Sequence, residues 1–324
     1  MPAKANHESV VWRNPMGITF AASDEDTSAV LTDGNGHVYL FYVVNTGVGF
    51  TNLSVTKLTT MGPFGMPQVL LTRQITSDPT SAQTVNRNVP VSATVDPAGN
   101  IYVAWTKQAG YTGGRGNDVY VSTSQDGGDT WLPPVLGSAP SGLGDDAWPS
   151  IAAAPDGTIW LAWAQNVGGW SNITVADSPT GGSSWGGFAN ISEPAGQFHP
   201  NLLPDMAIDP AGRVYVAYSH QALDAYYYVN VSWTDDGSAW TTQAVSTAQT
   251  YAYYASLAAE ANGKVHVAWW DNRFGVSGGY TIWYSQSDDG GATWEPEVLL
   301  STGANSGIVQ LAAPRVNLLG DNLF

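Results

Sequence analysis

The chain repeats one short pattern of apolar and polar positions, a tight turn followed by a strand with alternating apolar side chains. Each copy starts at a glycine and ends on an aromatic residue, and the five clearest copies span residues 36–42, 99–105, 157–163, 212–218 and 263–269. A sixth copy starts at Gly320. The glycines are 63, 58, 55, 51 and 57 residues apart. This spacing predicts four-stranded propeller blades and is too long for a short helical repeat.

Each repeated strand is preceded by another apolar strand, as at residues 91–95 and 150–154. Turn-forming residues join the two strands, for example Asp-Pro-Ala-Gly at 96–99 and at 209–212, and Pro-Asp-Gly at 155–157. Such turns are typical of tight β-hairpins. The pattern therefore predicts an all-β chain in which consecutive strands pair in an antiparallel meander.

A second motif, Ser-x-Asp-x-Gly-x-x-Trp, follows the repeated strands. Its two complete copies are Ser124, Asp126, Gly128 and Trp131, and Ser287, Asp289, Gly291 and Trp294. Its two degenerate copies are Asp235, Gly237 and Trp240, with Trp233 at the serine position, and Ser178, Thr180, Gly182 and Trp185. The four tryptophans are 54, 55 and 54 residues apart. The residue types suit a structural turn, in which a carboxylate accepts backbone N–H bonds, glycine takes a positive φ and the indole covers the hairpin.

These motif residues resemble the Asp box of the sialidase-like superfamily, and the resemblance covers the chain from about Val30 to Trp294. It implies a β-propeller in which the box is a folding element and function resides elsewhere. We predict one domain, residues 1–324, with the all-β fold of a six-bladed β-propeller of four-stranded antiparallel blades. Five blades are expected at residues 27–76, 88–142, 146–195, 202–248 and 252–303.

Both termini, residues 308–324 and 8–23, are expected to complete the sixth blade, because a propeller protects its strand edges by joining its ends. The alternative is that the chain is a fragment of a longer protein.

Composition restricts the partners. Hydrophobic residues make up 43% of the chain and charged residues 12%, and the formal net charge is −16, so a phosphate backbone is repelled and nucleic acid is not expected. The absence of cysteine excludes disulfides and thiolate sites and fits secretion by a prokaryote. The five histidines lack paired spacing on one element, so we expect no metal and no cofactor. No apolar run is long enough for a membrane helix, and the first residues lack a signal-peptide pattern.

Binding residues are expected at one rim of the propeller. In an antiparallel meander, the turns between first and second strands and the Asp boxes share one rim, whereas the remaining, longer loops share the other. Loops of this second kind usually carry function. The residues that the sequence places there as ligand-binding candidates are Arg87, Arg115, Arg273, Arg315, Trp148, His199 and Asp146. Tyr251, Tyr253 and Tyr254 also precede an inner strand, whereas residues 226–228 form a strand with alternate faces.

The resemblance also implies a possible catalytic set. A retaining sialidase uses an arginine triad for the substrate carboxylate, a tyrosine nucleophile activated by glutamate, and an aspartate acid/base. The segment that starts at Tyr254 resembles the one that carries the nucleophile. Arg87 lies in a segment similar to the Arg-Ile-Pro motif, with one extra residue before the proline, and the segment Trp-Arg-Asn-Pro around Arg13 resembles this motif about as well. Asp205 and Asp271 are the candidate carboxylates. No glutamate lies near the start of an inner strand, which departs from the family pattern.

Three functions fit these observations. The first is an extracellular or cell-surface module that recognises a glycan or a surface protein without catalysis. The second is an exo-acting glycoside hydrolase that uses Tyr254 and at least three of Arg13, Arg87, Arg115, Arg273 and Arg315 around one carboxylate. The third is one propeller unit of a larger surface assembly.

Overall fold

The structure, a computed structural model, consists of β-strands and the turns that join them. It describes residues 25–45, 51–59, 68–76, 91–107, 117–138, 145–167, 170–192, 200–274, 280–301, 318–319 and 322–323. Within these ranges no residue is helical, and hence no helix of the described chain is long and apolar enough to cross a membrane.

Twenty of the strands form five four-stranded sheets, here called blades 1 to 5. Blade 1 contains β1 (Glu25–Thr32), β2 (His37–Asn45), β3 (Thr51–Thr59) and β4 (Gln68–Gln74). Blade 2 contains β5 (Ser92–Val95), β6 (Ile101–Lys107), β7 (Asp118–Ser124) and β8 (Val135–Leu136). Blade 3 contains β9 (Asp145–Ala153), β10 (Ile159–Val167), β11 (Trp170–Ser178) and β12 (Gly186–Asn190).

Blade 4 contains β13 (Asn201–Ile208), β14 (Val214–Gln221), β15 (Tyr227–Thr234) and β16 (Thr241–Ala244). Blade 5 contains β17 (Tyr253–Ala259), β18 (Val265–Asp271), β19 (Thr281–Ser287) and β20 (Val298–Leu299). Two further strands, β21 (Leu318–Leu319) and β22 (Asn322–Leu323), pair only with each other. In every blade, each strand is antiparallel to the next one along the chain. The predicted meander is confirmed, whereas the six-blade count and the closure by both termini stay predictions, since most of the terminal residues lie outside the described ranges.

The core lies between the blades. The second strand of a blade is buried almost throughout, as in β6, whereas outer strands such as β4 and β16 are exposed. Each of four hydrophobic clusters combines side chains from two consecutive blades. The aromatic residue that ends each repeated strand is buried, and these residues are Tyr42, Trp105, Trp163, Tyr218 and Trp269. Trp105, Trp163, Tyr218 and Trp269 belong to the clusters between blades and present no surface to a ligand.

Candidate functional site

The complete Asp boxes are closed hydrogen-bonded turns. In blade 2, Asp126 Oδ1 accepts bonds from the Ser124 hydroxyl (2.9 Å) and the Thr130 backbone N–H (2.9 Å). The Thr130 hydroxyl donates to Asp126 Oδ2 (2.5 Å), and the Gly128 N–H donates to Ser124 Oγ (2.8 Å). The bonds from Thr130 hold the pKa of Asp126 low, at about 2. In blade 5, Asp289 makes the same bonds with Ser287 and Thr293.

The blade 4 copy corrects the alignment made from the sequence. Here the turn is one residue shorter, because the Gly237 N–H donates to Thr234 Oγ1 (3.0 Å) and Thr234 takes the serine position. The turn carboxylate is Asp236, which accepts from the Ser238 N–H (2.9 Å), and not Asp235 as aligned. The Asp235 side chain instead accepts from Arg213 Nε (2.5 Å).

Each box also contacts the preceding blade. A Cβ placed on Gly128 would lie 3.1 Å from Tyr39, and one on Gly237 would lie 2.6 Å from Trp160. The Tyr39 hydroxyl donates to the carbonyl of Gly127 (3.2 Å). The box tryptophans pack against the hydrophobic clusters between blades; these are Trp131, Trp185, Trp240 and Trp294. The carboxylate and hydroxyl groups of the complete boxes are therefore used within the turns, and this rim is not the candidate site.

A depression of about 410 Å³ lies on the same Asp-box rim, between blades 4 and 5. Its charged groups have internal partners: Asp235 pairs with Arg213, and Asp288 pairs with Lys264 at 3.0 Å. Asp289, which also lines it, belongs to the box turn. No three histidine or acidic side chains of the described chain are arranged to hold a metal ion.

The opposite rim, here called the loop rim, has an irregular backbone at one repeated position. The first strands of blades 3, 4 and 5 are interrupted by a bulge opposite the buried aromatic residue of the second strand. In each bulge a residue with a side chain takes a positive φ: Trp148 (54°), Leu203 (57°) and Tyr254 (54°). Left-handed backbone is unfavourable for such residues, and bulges of this type are frequent next to binding sites.

The loop rim of blades 4 and 5 carries a surface of aromatic rings, here called the tyrosine surface. It consists of Tyr226, Tyr227, Tyr251, Tyr253, Tyr254, Trp270 and Tyr280. Its closest ring pairs are Tyr254 with Trp270, at a centroid distance of 4.6 Å, and Tyr227 with Tyr253, at 4.8 Å. Tyr251 is 41% exposed and Tyr254 is 38% exposed.

The phenol groups of the tyrosine surface lie close enough together to affect the pKa values of Tyr280 and Tyr253. Burial raises the pKa of Tyr280, and the nearby phenol groups of Tyr251 and Tyr254 raise it further. Burial likewise raises the pKa of Tyr253, with a contribution from Tyr227. The hydroxyl groups of Tyr253 and Tyr280 therefore remain neutral at physiological pH and can both donate and accept hydrogen bonds.

An ionic network fixes the loop that carries Tyr251. Arg273 Nε donates to Asp271 Oδ2 (2.9 Å), and Arg273 Nη1 also pairs with Glu297. Glu297 in turn accepts from the Thr247 N–H (2.6 Å). Burial opposes the charge on Arg273, but the bonds to Asp271 and Glu297 outweigh it and raise its pKa.

A neighbouring amide completes this support. Asn272 Oδ1 accepts from the Tyr251 N–H (2.9 Å) and from the Thr250 hydroxyl (2.7 Å). The Thr250 hydroxyl also contacts Asp271 Oδ1 at 3.0 Å. Asp271 is fully buried, so its carboxylate supports the loop, and it is not exposed to a ligand in this structure.

Asp205, the second candidate carboxylate, lies between blades. Its Oδ2 accepts from the backbone N–H of Leu257 in blade 5 (2.9 Å). The equivalent residue of blade 3, Ser150, accepts from Met206 N–H (2.9 Å), and that of blade 2, Ser92, accepts from Ile151 N–H (3.1 Å). The position seven residues before the repeat glycine thus bonds to the next blade.

Asp146 is a buried carboxyl group on the loop rim of blade 3, with a relative exposure of 3%. Burial raises its pKa to about 6, and repulsion by Asp118 adds to the shift, although Ser138, Trp163 and Gln165 lower it. Trp148, two residues on, is half-buried and packs against the cluster between blades 3 and 4.

Four of the predicted site residues, Arg87, Arg115, Arg315 and His199, lie outside the described residues, as does Arg13. Their convergence on one carboxylate stays a prediction. The structure adds Trp270 and Tyr280 to the loop rim, and it adds Glu297, directly before the fourth strand of blade 5, as a partner of Arg273. The sequence signal for the tyrosine surface is a pair of tyrosine-rich segments, residues 226–228 at the start of the third strand of blade 4 and residues 251–254 before and at the start of the first strand of blade 5. The contact of Glu297 with Arg273 joins residues 24 positions apart and has no local signal.

The fold and the repeated turns define a sialidase-like propeller. Residues 99–319 match the family described as the BNR repeat-like domain, and the chain belongs to this family. No curated protein matches the chain.

Several solved structures share the fold. The Hadza microbial sialidase Hz136 is 17% identical with a TM-score of 0.55, and the match covers 86% of this chain and 59% of that chain. This chain therefore spans less than two thirds of that sialidase. A protein of unknown function from Dyadobacter fermentans DSM 18053 is 13% identical with a TM-score of 0.61, covering 86% and 83% of the two chains. The α-L-arabinofuranosidase Arb93A from Fusarium graminearum is 13% identical with a TM-score of 0.56, covering 82% and 86%.

Proposed function

We propose that this propeller recognises glycans through the tyrosine surface and acts outside the cell, where polymeric glycans occur. The observation that carries the proposal is the group of seven aromatic rings on the loop rim, of which Tyr251, Tyr254 and Tyr280 are each more than a third exposed. A sugar ring has an apolar face of C–H groups, which stacks on an aromatic ring, and hydroxyl groups at its edge, which bond to phenols. Exposed apolar patches of this kind mark binding sites.

The ordered support of the surface favours recognition further. The bonds from Arg273 and Asn272 fix the loop that carries Tyr251, so little side-chain entropy is lost when a ligand stacks there. The solved structures with this fold include a sialidase and an arabinofuranosidase. Both act on glycans, so a glycan ligand for this chain is consistent with these similarities.

Binding of soluble oligosaccharides by the purified chain tests this function. We expect Tyr254→Ala and Tyr251→Ala each to weaken binding by on the order of tenfold, the equivalent of about 1.4 kcal/mol. Phe188→Ala is the matched control, because Phe188 is 42% exposed but lies on the outer strand of blade 3. Equal affinity of all four proteins, or no binding to any glycan by the folded chain, would contradict the proposal.

Glycoside hydrolysis is a second candidate function, supported by Asp146. A carboxyl group with a pKa of about 6 stays partly protonated near neutral pH, as a general acid requires, although the Asp146 side chain is buried in this structure. In the described residues, however, the Tyr254 hydroxyl makes no hydrogen bond to a carboxylate that could activate it as a nucleophile. Turnover of fluorogenic glycosides that is lost in Tyr254→Phe would establish the hydrolase. A role as one unit of a surface assembly remains a third proposal, for which a compact monomer in solution scattering is the contrary result.

A further inference from the structure

We infer that the tyrosine surface takes an uncharged oligosaccharide and disfavours acidic sugars such as sialates and uronates. This inference rests on the proposed glycan recognition and specifies the ligand class of that same surface.

The distribution of basic residues supports it first. From residue 193 to residue 301, the stretch that contains blades 4 and 5, the sequence has only three, Arg213, Lys264 and Arg273. Arg213 and Lys264 lie on the Asp-box rim, at the far end of the blades, and pair with Asp235 and Asp288. Neither can reach a ligand that is stacked on the tyrosine surface.

The third basic residue is already neutralised. The Arg273 guanidinium bonds to Asp271 and Glu297 and stacks on Trp283 with its Cζ 3.5 Å from the ring centroid. A bidentate carboxylate clamp needs free guanidinium N–H groups. The single positive charge of Arg273 is already shared by two carboxylates, one of them fully buried, so a third carboxylate from an acidic sugar would be repelled by these two or would leave the buried one without its partner.

An exposed negative charge lies beside the tyrosine surface. Asp224 lies in the turn before Tyr226 and accepts from the Tyr226 N–H (3.1 Å), the Tyr228 hydroxyl (2.7 Å) and Gln249 Nε2 (3.3 Å). Its exposed carboxylate, on a chain with a formal net charge of −16, repels an anionic ligand. The rings themselves remain available, because stacking on the C–H face of a sugar requires no charge.

The surface is long enough for more than one sugar unit. The rings form two groups. The first, within blade 5, consists of Tyr254, Trp270 and Tyr280. The second lies at the boundary between the blades, where Tyr226 and Tyr227 of blade 4 contact Tyr251 and Tyr253. An oligosaccharide that crosses the boundary between the blades would cover both groups. We therefore expect affinity to rise from the disaccharide to the tetrasaccharide or beyond.

Calorimetric titration with matched oligosaccharides tests the inference. The probes are a galacturonate hexasaccharide, its carboxyl-reduced neutral form, and a set of neutral arabinose, xylose and glucose hexasaccharides, with sialyllactose as a second acidic probe. We expect at least one neutral hexasaccharide to bind at least tenfold more tightly than both acidic probes in low salt. Tyr254→Ala should weaken this binding by on the order of tenfold, and Phe188→Ala should retain it.

A charge-gain variant sharpens the test without disturbing the fold. Leu223 is 92% exposed at the tip of the turn beside Asp224, so Leu223→Lys adds a cation at the edge of the surface. It should strengthen binding of the acidic probes severalfold and leave the neutral probe unchanged. Tyr254-dependent binding of an acidic or amino sugar in preference to every neutral one would overturn the inference but keep glycan recognition. Absence of all glycan binding would overturn both.

Discussion

The two rims of the propeller differ in the residues that adopt a left-handed backbone conformation. In the described chain, all thirteen glycines with a positive φ lie in the turns of the Asp-box rim or directly after them, where a residue without Cβ adopts this conformation at little cost. The four residues with side chains and a positive φ all lie on the loop rim: Trp148, Leu203, Ala225 and Tyr254. Three of these positions repeat from blade to blade, yet none is glycine. Glycine suits the tight turns of the first rim, whereas the second rim places side chains at positions where the backbone is strained.

The largest expected loss of stability comes from a substitution in an Asp-box turn. Gly237→Ala should lower the free energy of unfolding by about 3 kcal/mol, because the new Cβ adds backbone strain and overlaps the Trp160 ring of the preceding blade. Gly157→Ala is the matched control: its φ is 89°, but nothing lies within 4 Å of the new Cβ, so strain alone should cost roughly 1 kcal/mol. Urea unfolding curves measure both. Equal losses in the two variants would show that the contact with Trp160 is unimportant.

The next effect concerns carboxyl groups, whose pKa values shift in opposite directions at the two rims. Asp126 and Asp289 of the boxes have pKa values near 2, whereas that of Asp146 on the loop rim is about 6. An unfolded aspartate has a pKa of about 3.9. Below that pH, Asp146 is protonated in both the folded and the unfolded state and does not change the free energy of unfolding. Between about pH 3.9 and about pH 6, Asp146 ionises in the unfolded state but stays protonated in the folded state, so the free energy of unfolding falls as pH rises. Above about pH 6 the carboxyl group is ionised in both states, and the loss of free energy stays constant.

We therefore expect Asp146→Asn to raise the free energy of unfolding by about 2 kcal/mol at pH 8 and to leave it nearly unchanged at pH 4. Denaturant titrations at pH 4, 6 and 8 provide the measurement. Asp145→Asn is the control, because Asp145 is exposed. A stabilisation of the same size at pH 4 and pH 8 would show that ionisation of Asp146 is not its cause.

The smallest expected effect concerns the stability of a loop-rim turn in which alanine takes a positive φ. Ala225 has a φ of 67° in the turn before Tyr226, and Ala225→Gly should stabilise the chain by a few tenths of a kcal/mol to about 1 kcal/mol, because relief of strain exceeds the entropy gained by the unfolded chain. Ala222→Gly, in the same turn but without a positive φ, should destabilise by a similar amount. Thermal melts of the two variants distinguish these signs. Destabilisation by both would mean that the Ala225 methyl group contributes packing that outweighs its strain.

The sequence predicts the repeated parts of the molecule well and the individual parts poorly. The glycine and tryptophan spacings predict the meander and the buried aromatic ends of the second strands, because the same local pattern is repeated. The shorter box of blade 4 was misaligned, since Asp235 and Asp236 are adjacent and only the hydrogen bonds distinguish them. The sequence offers Asp205 and Arg273 as site candidates, and in the structure Asp205 accepts from the Leu257 N–H and Arg273 pairs with Glu297. Such long-range pairs leave no periodic signal.

The side-chain-to-backbone bonds that run from one inner strand to the next also bear on how such a chain can grow. Ser92, Ser150 and Asp205 each occupy the same place in their blade and each bonds to the following one. A blade copied in tandem by gene duplication brings its own acceptor for the next blade and its own N–H donor for the previous one, so a new copy fits without redesign of the joint. The tyrosine surface has no such modularity, because its rings come from two different blades, and a single duplicated blade would inherit only half of it.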